Sequence, residues 1–304
     1  MKSNPDLEYL MQFRQNLTII FQIALITSWL TVSTNPAFGQ TFGGIVRDFE
    51  TKNALPYANI GIVKKNIGCI SDEGGAFRLD LSNSVGSDTV VISYVGYLPF
   101  KTIISKIDPS RSHTIDLKPY SQRLKEVVIR SKPEIITLGN KGRSGRHSGW
   151  GDFTSSRGRA IGVLIKTPDS KLKISKVVFH LNACEFDSAR VRINLLKYED
   201  GQTRPFEDQK ENIFQTIHQK KGWIEVAMTE DIVVRNEEVI VAIEWVDAWA
   251  KTRTMDEGGS YLFTISLDNS RGSQYIRQTP EEPINLINSD FTPSIYLECF
   301  AVRE

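Results

Sequence analysis

Cysteine and histidine are scarce in this 304-residue chain, with three of the first and four of the second. Cys69, Cys184 and Cys299 are odd in number and far apart, so a disulfide framework is not expected. Cys69 and Cys299 sit in apolar strand patterns, where a free thiol behaves as a small hydrophobe. Three buried thiols are the expectation; a Cys184–Cys299 bridge requires their two strands to meet in one domain. A hydrolytic zinc site needs His and Glu at short spacing with a distant second His. None of His113, His147, His180 or His218 begins an H-x-x-E, and the nearest approach is His113-Thr-Ile-Asp116. There is no Gly-x-Ser-x-Gly nucleophile turn. Charge of one sign is lacking too. The formal net charge is +1, which removes any global field for nucleic acid or anionic membrane. After residue 40 no long helical period occurs.

What is present begins with an apolar run, Leu17 to Leu30, too short to span a bilayer comfortably. Lys2 and Arg14 precede it and Ala37-Phe38-Gly39 follows, with small residues at the two positions a signal peptidase reads. Residues 1–39 are expected to be a secretory signal peptide, with translation starting at Met1 or Met11 and the mature chain at about Gln40. No cysteine lies near the cleavage point, which excludes lipid attachment there. The expected location is outside the cytoplasm, in the periplasm or at the cell surface, without stable membrane insertion.

The rest reads as β-structure. Short β-branched or aromatic runs at about 42–47, 58–64, 67–70, 76–81, 88–95, 98–104 and 112–117 are bounded by Gly, Pro, Asn, Asp or Ser. Seven strands so spaced predict an antiparallel sandwich over 40–118. Residues 119–152 read as a linker holding one strand, Leu124 to Arg130. Gly139 to Gly151 carries five glycines among Lys141, Arg143, Arg146 and His147, a composition with little to bury. From 153 to 304 a second pattern gives strands at about 160–166, 174–182, 190–198, 212–218, 223–228, 232–234, 238–246, 261–267 and 294–302. About nine strands predict a jelly-roll-like β-sandwich.

Four motifs mark the first unit. They are Gly44-x-Val46-x-Asp48, Leu55-Pro56-x-Ala58-Asn59-Ile60, Asp72-x-x-Gly75-x-Phe77 and Ser93-Tyr94-x-Gly96-Tyr97. In this order they resemble the carboxypeptidase regulatory-like domain, a transthyretin-like sandwich. Such domains occur beside metallocarboxypeptidase catalytic domains, and a closely similar version precedes the plug of TonB-dependent receptors in bacteria of the Bacteroidetes type. Leu124-Lys125-Glu126-Val127-Val128 looks like the segment after the domain in those receptors. No plug, long barrel or catalytic partner domain is recognisable. Locally, Asp72 is expected to cap its turn, Gly75 to supply a positive φ and Gly96 to allow a bulge or bend.

No catalytic, cofactor-binding or metal-ligating residue is assigned. Asp72-Glu73-Gly74 has too few oxygen ligands after it for a calcium loop and reads as a turn. Glu225, Glu244 and Glu298 lie on predicted strands; an unrecognised hydrolase would need Glu225 or Glu244 in a facing pair, but solvated outer-face acids are the simpler reading. Among Trp150, Trp223, Trp245, Trp249 and Tyr296, Trp245 follows the buried alternation and Trp223 suits a packing anchor. Trp249 with Asp247 and Arg253 is the candidate ligand platform. Leu124, Val127, Val128 and Ile129 are candidates for pairing with a partner's edge strand. The whole reads as a non-catalytic exported accessory protein of the bacterial cell envelope acting by protein–protein contact, with carbohydrate binding by the second sandwich as the alternative. Its partner is expected to be an envelope protein or a glycan, and not nucleic acid.

Overall fold

The computed structural model describes residues 41–120, 134–150, 156–250, 262–281 and 285–302. The architecture is all-β, and Thr41–Glu304 forms one compact unit. Seven strands build a small sandwich. They are β1 (Thr41–Asp48), β2 (Asn59–Ile62), β3 (Gly68–Ile70), β4 (Ala76–Asp80), β5 (Thr89–Ser93), β6 (Phe100–Ile103) and β7 (His113–Leu117). One sheet has the order β4-β1-β7, with β1 and β7 parallel; the other runs β3-β2-β5-β6. In β1 the alternate residues Phe42, Val46 and Asp48 are buried, as a one-sided strand requires. Phe42, Val46, Ile60, Ile62, Leu79 and Ile92 form the core between the sheets.

Each motif does a structural job in this sandwich. Ser71 Oγ accepts from Ala58 N at 2.8 Å and donates to Leu55 O at 3.1 Å, fixing the chain on either side of Pro56. Gly75 has φ +76°, and Asp72 Oδ1 accepts from Ala76 N, four residues on. Asp48 Oδ1 accepts from the N–H groups of Glu50 and Thr51, and its Oδ2 accepts from the Tyr97 hydroxyl at 2.7 Å. The Thr51 N–H, then the Tyr97 hydroxyl, hold the Asp48 carboxyl down at about 2.

The larger sandwich comprises β8 (Ile135–Gly139), β9 (His147–Trp150), β10 (Ala160–Lys166), β11 (Leu172–Cys184), β12 (Ser188–Glu199), β13 (Gln202–Pro205), β14 (Ile213–Ile217), β15 (Gly222–Ala227), β16 (Val233–Val234), β17 (Glu238–Trp249), β18 (Phe263–Asp268), β19 (Gly272–Arg277), β20 (Asn285–Ser289), β21 (Thr292–Pro293) and β22 (Ile295–Ala301). A seven-stranded sheet follows β13-β12-β17-β10-β19-β20, with β14 also on β12. An eight-stranded sheet follows β21-β18-β11-β22-β8, with β15 and β16 on β11 and β9 on β18. Val191, Ile193 and Val241 from one sheet meet Val177, Phe179 and Leu297 from the other. These two sheets hold more strands than the nine expected.

Two expectations are corrected here. The glycine-rich basic run is not a free linker between 135 and 150, because β8 pairs with β22 and β9 pairs with β18. Its glycines permit close backbone approach: a Cβ on Gly149 would lie 2.1 Å from Phe263 O. Trp150 at its end is buried and stacked on Trp245 with ring centroids 6.1 Å apart. The expected Cys184–Cys299 alternative also fails. All three cysteines are free. Both lie on the eight-stranded sheet, but Cys299 pairs with Ile174 while Cys184 stands at the other end of β11, opposite Phe263. The predicted strand 124–130 lies outside the described residues.

Candidate functional site

The outer face of the seven-stranded sheet carries a polar row that sequence alternation alone would leave in water. Arg190, Arg192 and Asn194 project from β12 on the face opposite Val191 and Ile193. Cross-strand register sets Arg192 directly against Glu244 of β17. Ala160 of β10 pairs with Glu244 on one side and Arg277 of β19 on the other, which completes the row. Arg192 donates bidentately to Glu244, at 2.9 Å from Nε and 2.5 Å from Nη2. Arg277 Nη2 reaches the same carboxylate at 2.7 Å, and so does Asn194 Nδ2.

This cluster is buried because the four-stranded sheet of the small sandwich covers it. Arg192 Nη1 donates to Tyr57 O at 2.7 Å, and Nη2 donates to Asn59 Oδ1. Arg192 and Glu244 are consequently 1% and 0% exposed. Burial pushes the Glu244 carboxyl upward, but the guanidiniums of Arg192 and Arg277 outweigh it and the group stays ionised below its usual range. Glu244 works on Arg277 in the opposite sense, raising it against the effect of burial. Tyr57 holds φ +60°, an uncommon conformation for a bulky residue, and thereby delivers its carbonyl to Arg192 while its ring packs on Phe214. Ser93 Oγ donates to Glu281 Oε1 at 3.1 Å and Arg190 reaches Glu73 at 3.5 Å, so several ties cross the interface.

Beside the cluster the two sheets part into a cleft of about 540 Å³. Val63, Val91 and Lys101 line one wall, and Leu196 and Phe206 the other. Tyr94, Tyr97 and Tyr120 also line it, the first two in edge-to-face contact at 5.4 Å. Asn59, Asn194 and Arg277 connect the cleft to the buried cluster. Gly96 has φ +82°, and a Cβ there would lie 1.9 Å from Lys210 O. The motif glycine therefore serves the approach of the two sandwiches as well as its own turn.

The motif-bearing small sandwich, with its Asp48–Tyr97 tie, is the segment for which a similarity to a known family is found. Residues 42–129 match the family model of the CarboxypepD_reg-like domain. No curated protein and no solved structure matches the chain. The CarboxypepD_reg-like domain is a β-sandwich of regulatory or binding character. Of its motif residues, Asn59, Tyr94, Gly96 and Tyr97 line the cleft, so the matched segment forms one of its walls.

The residues singled out from sequence fall elsewhere. Asp247 and Trp249 share a face of β17, but the Asp247 carboxylate is held by Arg157 at 2.6 Å, and neither residue lines the cleft. Trp249 is 41% exposed; Arg253 lies outside the described residues, as do Leu124, Val127, Val128 and Ile129. Glu244 is not the solvated outer-face acid expected, because the small sandwich covers it. Glu225 pairs with Lys176 on the outer face of the opposite sheet, so the core separates it from Glu244 and the facing-carboxylate arrangement is not formed. Trp223 packs edge-on to His180 and Tyr296. His180 is buried with Nδ1 2.8 Å from Ser266 Oγ and Nε2 3.3 Å from Arg143, and burial, then Arg143, lowers its pKa. Asp116 is taken by Arg47 and Lys52, which leaves His113 without an acidic co-ligand there. Among the described residues no group of three His, Cys, Asp or Glu side chains could hold a metal.

Arg192, Asn194, Asn212 and Arg277 drew no attention in the sequence. The one local signal is the alternation Arg190-x-Arg192-x-Asn194 in β12, which does not reach Asn212 or Arg277. The same alternation suits an ordinary wet outer face, and the surface that covers Arg192 lies more than a hundred residues away in sequence, at Tyr57 and Asn59.

Proposed function

We propose that this is a non-catalytic, exported binding protein of the bacterial cell envelope that holds its ligand in the cleft between the two sandwiches. The observation that carries the reading is the cleft itself. Its volume is of the size that small-molecule and short-oligomer sites have, with mixed apolar and polar walls. The small sandwich and the larger one each supply one wall, and the Arg192 cluster fixes the walls relative to each other. Filling the cleft tests the assignment. Val63 lies on its rim and is 39% exposed, so Val63→Trp is expected to keep the fold and abolish capture of envelope components by the immobilised protein. Unchanged capture at an unchanged melting temperature would remove the cleft from the function. Export is tested by N-terminal sequencing of the cell-derived protein, which should begin near Gln40; an intact Met1 or Met11 would contradict it.

A second reading is protein–protein contact by strand addition. Strand β8 ends the order of the eight-stranded sheet and carries Ile135 at 59% exposure, directly after the segment that contains Leu124–Ile129. A charge at an edge strand blocks such pairing. Ile135→Lys should then release a protein partner that Val63→Trp still retains.

A further inference from the structure

We propose that residues 140–146 form an acid-released strap, latched to the eight-stranded sheet by Arg143 on the buried His180. The segment joins β8 to β9. Gly142 N donates to Asp268 Oδ2 at 3.3 Å, Ser144 N donates to Leu267 O at 2.8 Å, and Lys141 Nζ lies 4.7 Å from the centre of the Tyr296 ring. Arg143 makes a contact of another kind, with Nη1 3.3 Å from His180 Nε2. A guanidinium only donates, so Nε2 must present its lone pair. The proton of the neutral ring is then on Nδ1, which donates to Ser266 Oγ at 2.8 Å. The latch therefore exists only while the imidazole is neutral. Protonation of Nε2 sets N–H against N–H and one positive charge against another.

The surroundings of His180 favour the neutral ring. The side chain is 3% exposed, so water does little to spread a charge placed on it. Burial, then Arg143 and Lys221, hold it below its ordinary 6.5. The carboxylates on the neighbouring strands are engaged elsewhere. Glu225 of β15 and Glu298 of β22 approach Lys176 of β11 at 2.7 and 3.7 Å, and Asp268 of β18 receives the Gly142 N–H. The rings of Trp223 and Tyr296, which pack beside it, bring no charge near neutrality. His147 of β9 stands opposite Ser266 in the register and is exposed. Opening the strap takes Arg143 away from His180 and lets the ring return toward its ordinary value, so the open form binds more protons below 6.5. The closed form is fully favoured above 6.5 and loses ground as pH falls below it, by at most about tenfold in the opening constant for each pH unit. Because the strap joins β8 to β9, its release loosens the attachment of both.

The test is amide hydrogen exchange of the purified protein between about pH 7.5 and about pH 5, read beside NMR of the His180 ring nitrogens. Protection factors at Gly142 and Ser144 are expected to fall by up to about tenfold per pH unit below 6.5, in step with protonation of His180. The amides of β17 should keep theirs. His180→Gln has no proton to gain and should hold the protection of Gly142 and Ser144 level, whereas His147→Gln should leave the wild-type decline in place. If His180→Gln fails to fold, Arg143→Gln serves instead. Its side-chain amide can face either state of the ring, so His180 should titrate at a higher pH and the decline should disappear. Level protection in the wild-type protein while His180 titrates would overturn the latch. A decline that persists in His180→Gln, or in Arg143→Gln, would overturn it too and place the trigger on another group. A neutral ring carrying its proton on Nε2 would contradict the first step.

Discussion

Glu244 shows how much one side chain can be asked to hold. It accepts from two guanidiniums and an amide in a space from which water is excluded. Removing one partner from such a group strands the others, and the cost is typically about 3–5 kcal/mol. Glu244→Gln is therefore expected to lower unfolding stability by about 3 kcal/mol in urea titration. Glu225→Gln, at an exposed pair with Lys176, should cost less than about 1 kcal/mol. Asp48 makes a different prediction. Its carboxyl sits at about 2 in the fold against 3.8 as a free side chain. The folded state thus binds fewer protons than the unfolded chain in that interval. The stability Asp48 contributes is complete above about 3.8 and is lost as pH falls toward 2. Tyr97→Phe removes the side-chain donor, so acid unfolding of that variant should begin at a higher pH, as followed by tryptophan fluorescence or circular dichroism.

At the scale of the element, most strands were legible because their periodicity was local. Val239, Val241, Ile243 and Trp245 alternate over β17, and the expected span of 238–246 lies within the observed Glu238–Trp249. Strands β8, β9, β13, β19, β20 and β21 escaped. Apart from β8, which is apolar but stands inside the stretch read as a linker, their residues are short or largely polar, and such segments pair because a neighbouring apolar strand offers an edge, as β18 does for His147–Trp150. That information lies in the neighbour and not in the segment. The candidate site was illegible for the same reason, since Arg192 and Glu244 acquire a meaning only once β12 lies beside β17 and the small sandwich covers both. Gly96 illustrates an intermediate case. Its turn was readable, but its closeness to Lys210 was not. Gly96→Ala meets both a positive φ and a backbone atom at 1.9 Å. It should lower the melting temperature, and by more than Gly145→Ala, which has a positive φ and open space.

For the whole molecule, the interface makes the two sandwiches one mechanical object. Tyr57, Ile70, Val246 and Phe214 pack across it, and Arg192 bonds the backbone of the opposite body. Calorimetry of the wild-type protein is expected to give a single transition for residues 41–304. Arg192→Ala should split or broaden it, because the cut removes bonds to Tyr57 and Asn59 as well as to Glu244. A single sharp transition in that variant would mean that apolar packing alone couples the bodies. The same rigidity gives the cleft fixed walls, and a ligand spanning them should raise the melting temperature of both sandwiches together.

The free thiols give this molecule an internal clock. Cys69 belongs to the small body and Cys184 and Cys299 to the large one, and burial raises Cys69 and Cys299 to about 12 each. Cys184 and Cys299 are buried, so an alkylating reagent reaches them only when the large body opens, whereas Cys69 is half-buried and lies closer to solvent. The wild-type protein should therefore take one label early and the next two together, and loosening the Arg192 cluster would let the first label run further ahead of the other two.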